Sequence, residues 1–226
     1  MIELKHKMKK IGLIFDLDGV IVDTAIYHYK AWKTIADDLG FDFSLLQNEQ
    51  LKGVSRMESL DRLLGFGNIK NLTDEEKLKL AERKNKLYVS YISKLTPDAV
   101  LPGVDQFMNS LALENVGIAL GSASKNAMTI LKQIEYIDVF NAVIDGTKVK
   151  RSKPDPEVFV KAAAELDIDA ENCIVFEDAE AGIEAAKLAG MKTIGIGDEQ
   201  ILKEADLIIP GFENFDFETC KKQFNL

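Results

Sequence analysis

The chain runs to 226 residues, of which 46% are hydrophobic and 29% charged, enough for one substantial core or for a core with a small appendage. Its formal net charge of −9 argues against broad binding to nucleic acid or anionic lipid, yet leaves room for a pocket where a few cations hold a small phosphorylated metabolite. No apolar run approaches the roughly 20 residues that cross a bilayer, and Cys173 and Cys220 have neither disulfide-framework nor metal-ligand spacing.

In chain order, the basic start MIELKHKMKK leads into IGLIF (11–15), too short for a signal h-region and ended at once by Asp16. Further short apolar runs follow at GIALG (117–121), AVID (142–145), CIVFE (173–177), TIGI (193–196) and LIIP (207–210). Continuous runs of this kind suit strands buried on both faces of a parallel sheet. The pieces between them carry helix signals: Ser124 before one, Pro156 near the start of another, and AEAGIEAAKLAG closing on Gly190. Strands alternating with helices predict a doubly wound, Rossmann-like α/β fold.

Residues 25–98 break this rhythm. Ser55 with Glu58, and Thr73 with Glu76, have capping-box spacing, and Leu78, Leu80, Leu87 and Tyr91 recur at helical intervals. The segment reads as an all-helical cap inserted after the first strand, with 1–24 and 99–226 forming the core domain. The chain returns to that core near Leu101-Pro102-Gly103. An insertion at this point lies over the carboxyl ends of the strands, where open α/β sheets bind ligands.

Four chemistry-bearing segments stand at those ends: Asp16-Leu17-Asp18-Gly19, Ser122-Ala123-Ser124, Ser152-Lys153-Pro154 and Glu177-Asp178. Together they suit phosphoryl transfer, where catalysis is mainly positioning and charge stabilisation. Carboxylates repel phosphate unless a divalent ion neutralises them, and hard oxygen donors select magnesium. Asp16, Glu177 and Asp178, with the main-chain carbonyl of Asp18, form the expected metal set. Asp16 is the expected nucleophile and Asp18 the general acid and base; Lys153 and Ser122 hold the transferring group.

Read singly, each of these residues has a plainer role. The DxD can be an acidic turn, Lys153 a solvated lysine, Glu177-Asp178 a helix cap, and Ser122, Ser124 and Asn126 helix-start residues. Their order and spacing tell otherwise. DLDGV (16–20), a serine after a short strand, an isolated lysine and a late ED pair resemble the four motifs of the haloacid dehalogenase superfamily. Dehalogenases lack the second aspartate, so Asp18 selects the phosphatases and phosphomutases.

Within that superfamily the segments FDLDGVIVDTAIYHYKAW, NEQLKGVSR, ERKNKLY, GSASKN, SKPDP and FEDAEAGIEAAK resemble the β-phosphoglucomutase family. That resemblance implies interconversion of β-D-glucose 1-phosphate and D-glucose 6-phosphate through an aspartyl phosphate on Asp16. Magnesium is the implied metal, and glucose 1,6-bisphosphate the implied phosphoryl donor and bound intermediate. It implies that Arg56, Ser124, Lys125 and Asn126 hold the non-reacting phosphate. His28 and Lys84 would couple cap closure to placing Asp18, while Gly53, Val54 and Ser55 border the sugar. Thr24, Trp32 and Ala123 complete the implied substrate set, although Trp32 by itself reads as cap packing, His28 as structural and Lys84 as part of a solvated helix face. A magnesium-dependent sugar-phosphate phosphatase of the same fold is the alternative. The expected protein is a cytoplasmic monomer with a small phosphorylated sugar as its partner, and with neither nucleic acid nor membrane.

Overall fold

Six short apolar strands set the architecture: β1 (Ile11–Phe15), β2 (Val116–Gly121), β3 (Ala142–Ile144), β4 (Cys173–Glu177), β5 (Lys192–Ile196) and β6 (Leu207–Ile209). The structure, a computed structural model, describes residues 11–226; the basic stretch 1–10 lies outside the described residues. All the strands pair in parallel in the order β3-β2-β1-β4-β5-β6, so the expected doubly wound α/β fold is present. The strands are largely apolar because both faces are covered, with Glu177 ending β4 and Lys192 and Thr193 opening β5. Leu13 and Phe15 of β1 face one cluster with Leu120, Phe176, Phe107 and Phe217, and Phe15 stacks on Phe176 at 4.5 Å. Ile14, one residue out of phase, faces the other with Ala119, Val175, Phe159 and Ala186.

Helices α5 (Val104–Ser110), α6 (Ala127–Gln133), α7 (Glu157–Glu165), α8 (Glu180–Leu188) and α9 (Phe217–Phe224) follow later in the chain. Pro156 occupies the N-cap of α7, and α8 stops before Gly190, whose φ of +75° favours glycine. Cys173 is fully buried, as its apolar run predicts.

Between β1 and β2 stand α1 (Ala25–Asp38), α2 (Leu45–Glu49), α3 (Arg56–Phe66) and α4 (Asp74–Ile92). They enclose their own cluster around Trp32, Ile35, Phe43, Leu60, Leu63 and Ala81. Ala31, Tyr88 and Ile92, at the base of α1 and α4, join the main core instead. The chain leaves and re-enters the sheet layer side by side: Val22 bridges Val100, and the Leu101 N–H donates to the Ile21 carbonyl at 2.9 Å.

Thr73 and Glu76 form the expected reciprocal box at the start of α4. The Ser55 box is only half made: Ser55 Oγ accepts from the Glu58 N–H at 3.2 Å, while the Glu58 carboxylate turns to Arg62. Ser44 and Gln47 form a full box on α2. The buried stripe of α4 is Ala81, Lys84, Tyr88 and Ile92, and Leu78 is exposed. Among the described residues no helix is long and apolar enough to cross a membrane.

Candidate active site

Register alone brings the chemical residues together. Phe15 pairs with Leu120 on one side and with Phe176 on the other, so Asp16, Gly121 and Glu177 end neighbouring strands at one level. The Asp16 N–H continues the ladder to the Phe176 carbonyl at 2.9 Å, and the Ser122 N–H reaches the Ile144 carbonyl at 2.9 Å. The strand order reverses at β1, between β2 and β4, which is where sheets of this type open a ligand crevice.

Carboxylate oxygens of Asp16, Glu177 and Asp178 lie within 4.8 Å of one another. Asp16 and Glu177 are buried, and the buried Lys153 ammonium bridges them, 2.8 Å from Glu177 Oε2 and in contact with Asp16 Oδ1. Burial opposes the charge on Lys153, but Asp16 and Glu177 hold its pKa above the usual lysine range. Burial, together with the Asp16 and Asp178 charges, lifts Glu177 to about 8 against the pull of Lys153. Asp178 rises to about 7 by burial and by the Asp16 and Asp18 charges, against Lys52. Three crowded carboxylates with one lysine between them are short of positive charge, and every donor is a hard oxygen, so the set fits magnesium. The Asp18 carboxylate is not part of this cluster, which leaves its main-chain oxygen as the contribution expected of it.

Glycines make the room. A Cβ on Gly182 would meet the Glu177 carboxyl at 2.1 Å, and one on Gly19, at φ +80°, would meet Asp178 Oδ2 at 2.1 Å. The Glu177 carboxylate also accepts from the Ala179 N–H at 3.1 Å, which fixes the turn ahead of α8. Ala179 itself is the N-cap and no side chain caps the helix, so the helix-capping reading of this pair is not met.

The Asp18 side chain turns instead to Thr24, whose buried hydroxyl donates to Asp18 Oδ1. Burial first and the Asp16 charge second push Asp18 up to about 7, against the Thr24 hydrogen bond and the Lys84 and Lys153 charges. Above it, Lys84 Nζ lies 2.8 Å from His28 Nδ1, 4.7 Å over the Trp32 ring and 4.8 Å over the Tyr88 ring. Burial and then Arg56 lower Lys84 to about 7; burial, Lys84 and Arg56 hold His28 well below the usual histidine range. The charged form of Lys84 can only donate, and in that form His28 Nδ1 is the acceptor of a neutral imidazole. The solvated-face reading of Lys84 is therefore incorrect: it sits in the buried stripe of α4, where the charged run ERKNK hides it. Trp32 both packs in the helical cluster and lines the cavity.

One cavity of about 460 Å³ lies between the helical layer and the sheet edge. Asp16, Asp18, Ser122, Ala123 and Asp178 line its floor; His28, Trp32, Gly53, Val54, Ser55, Arg56 and Lys84 line its roof. Lys125, Ser124 and Asn126 face it from the turn before α6, while Thr24, Lys153 and Glu177 lie behind its wall. Arg56, half-buried, and Lys125 have no acidic partner within ion-pair distance among the described residues. Ser122 Oγ accepts from the Ser124 N–H at 3.1 Å, and Ser124 Oγ from the Asn126 N–H at 3.2 Å, which leaves both hydroxyl hydrogens to donate.

Three contributors escaped the sequence reading. Lys52 reaches Asp178 at 3.5 Å, Asn85 accepts from the Asn126 amide at 2.9 Å, and Tyr88 packs on His28. Lys52, Asn85 and Tyr88 lie inside motif segments, but only folding shows what they touch.

A family model described as haloacid dehalogenase-like hydrolase matches residues 13–196. The chain is 48% identical to a β-phosphoglucomutase of Bacillus subtilis over 94% of this chain and 95% of that one. A crystal structure of a β-phosphoglucomutase from Clostridium difficile superposes with a TM-score of 0.91 at 43% identity, covering 96% of this chain and 97% of that one. A phosphorylated carbohydrates phosphatase of Thermotoga maritima is 27% identical over 87% of this chain and 92% of its own length. By its motifs, fold and sequence the chain belongs to the haloacid dehalogenase-like family, in its β-phosphoglucomutase branch.

Proposed function

We propose that this chain interconverts β-D-glucose 1-phosphate and D-glucose 6-phosphate, working as a monomer in the cytoplasm with glucose 1,6-bisphosphate as phosphoryl donor and intermediate. One observation carries the reading: a single cavity is lined at one end by Asp16, Asp18 and Ser122 and elsewhere by Arg56, Ser124, Lys125 and Asn126. A mutase needs places for two phosphates, because its bisphosphate must bind in either orientation.

In this reading an Asp16 carboxylate oxygen attacks phosphorus and the bond from phosphorus to the sugar oxygen breaks. Asp18 gives that oxygen its proton. In the return half-reaction Asp18 takes a proton from the other sugar hydroxyl, whose oxygen attacks the aspartyl phosphate. A group held near 7 suits both directions at neutral pH. Lys153 and Ser122 stabilise the charge on the transferring group, and Arg56, Ser124, Lys125 and Asn126 hold the other phosphate. Magnesium, held by Asp16, Glu177, Asp178 and the Asp18 carbonyl, would offset the repulsion between carboxylates and phosphate. His28, Trp32, Lys84 and the Gly53-Val54-Ser55 turn close over the sugar and keep water from the aspartyl phosphate.

The phosphatase among the relatives motivates the second reading, a sugar-phosphate phosphatase. Protein, magnesium, β-glucose 1-phosphate and a trace of glucose 1,6-bisphosphate decide between them, with glucose 6-phosphate and free phosphate followed in parallel. The mutase yields rapid glucose 6-phosphate, little free phosphate and no activity on the α-anomer; free phosphate without isomerisation rejects it. Arg56→Ala is expected to abolish most isomerisation, whereas a phosphatase acting on small substrates would barely respond.

A further inference from the structure

Among the described residues the Tyr88 hydroxyl is the one buried side-chain polar atom without a hydrogen-bond partner. It stands on the inner stripe of α4, 1% exposed, with the His28 ring 4.1 Å away between centroids and the Lys84 ammonium 4.8 Å over its own ring. An unpaired buried hydroxyl lowers stability, and a phenylalanine would fill the same space without that penalty. Its surroundings suggest what it is for. Burial and then the Asp18 charge hold the phenol well above its usual range, against the Thr24 hydroxyl and Arg56, so it remains protonated and able to donate. Thr24 is near enough to act on the phenol, has given its own hydrogen to Asp18, and keeps lone pairs to accept with.

We propose that Tyr88 is a positioning residue for Asp18, donating to Thr24 Oγ in the complex with sugar phosphate. The donor chain then runs from Tyr88 to Thr24 to Asp18 and fixes the carboxylate that moves the proton. Active-site hydrogen bonds that are poorly aligned at rest commonly tighten in the loaded complex. A bond gained only there raises kcat and leaves ground-state binding alone. This inference rests on the mutase reading, through the role given to Asp18.

Tyr88→Phe tests it with three readouts. The kcat for glucose 6-phosphate formation is expected to fall on the order of tenfold, with KM within about twofold of the parent, and the melting temperature to hold or rise. Phosphorylation of Asp16 by acetyl phosphate, whose acetate leaves without a proton from Asp18, is expected at the parent rate. An unchanged kcat overturns the inference, as does an equal fall in the sugar and acetyl phosphate rates, which marks a structural effect. If the parent only hydrolyses sugar phosphate, the mutase reading fails by itself. Tyr88 is then judged by the same comparison on hydrolysis, where Asp18 moves the proton as well.

Discussion

Lys84 shows how far a single residue can depart from its local sequence. It lies in the run ERKNK, yet it is 3% exposed and its pKa falls from 10.5 to about 7, through burial first and Arg56 second. Between those two values the unfolded chain binds a proton at this site that the folded chain does not. Stability contributed here therefore rises with pH across that window, and below it the full cost of burying the charge stands. Lys84→Met is thus expected to melt higher than the parent at pH 6.5, with the gap closing towards pH 10, while turnover falls at least about tenfold because Asp18 and His28 lose their cation. A variant that melts lower than the parent at pH 6.5 would show that the partners of Lys84 outweigh its burial. The neighbouring site residues divide along the same line. Asp16, Asp18 and the Glu177-Asp178 pair were legible because each is fixed to a strand end by local chain. Lys153 does not stand at the strand end expected of it but well past β3, in the loop that leads to α7. The environments of Lys84 and Tyr88 depend on which turn of α4 faces inward, and a helix with charges on several faces does not declare that.

At the scale of elements, capping chemistry was the most readable signal and also the most easily overread. Thr73 and Glu76 share both hydrogen bonds of their box, with the Thr73 Oγ1 to Glu76 N distance at 3.2 Å and the return bond at 2.8 Å. Thr73→Ala is expected to cost about 1 kcal/mol, lowering the melting temperature by roughly 2–4 °C. Activity should be retained, because this helix end is solvent-exposed and away from the cavity; a parallel fall in turnover would mean that α4 transmits its N-terminus to Lys84. Ser55 has the same spacing but only half the box, because Glu58 has Arg62 one turn away as a competing partner. Spacing establishes that two groups can meet, and a third group within reach decides whether they do. The strands posed no such competition. Their apolar runs are buried or half-buried along the sheet, and their ends fell within a residue of the observed limits for β1, β2, β3, β4, β5 and β6.

At the scale of the molecule, the proposed function asks two layers to part and meet. The outer helical cluster is packed apart from the sheet clusters, while Ala31, Tyr88 and Ile92 in the main core and the paired segments at Val22 and Val100 join the two layers. Across the cavity, two side-chain links tie the layers: Lys52 to Asp178 at 3.5 Å, and Asn126 to Asn85 at 2.9 Å. Neither was legible in the sequence, since Asn85 and Asn126 stand 41 residues apart and no periodicity relates them. Partly exposed links of this kind contribute roughly 0.5–1 kcal/mol each. That is small against folding, but comparable to the balance between an open and a closed cavity. In the proposed opening both links separate without unfolding either layer, so they are expected to add little against melting. The double variant Lys52→Ala/Asn85→Ala is therefore expected to keep its melting temperature within about 2 °C while kcat/KM for the sugar phosphate falls by about tenfold at saturating magnesium. Each single variant should show part of that loss, roughly additively, because the links sit at separate points of the cavity rim. A fall of many degrees in melting temperature with kcat/KM preserved would identify them instead as struts of the folded state, and closure would then have to be driven by the substrate's own charge on Arg56 and Lys125.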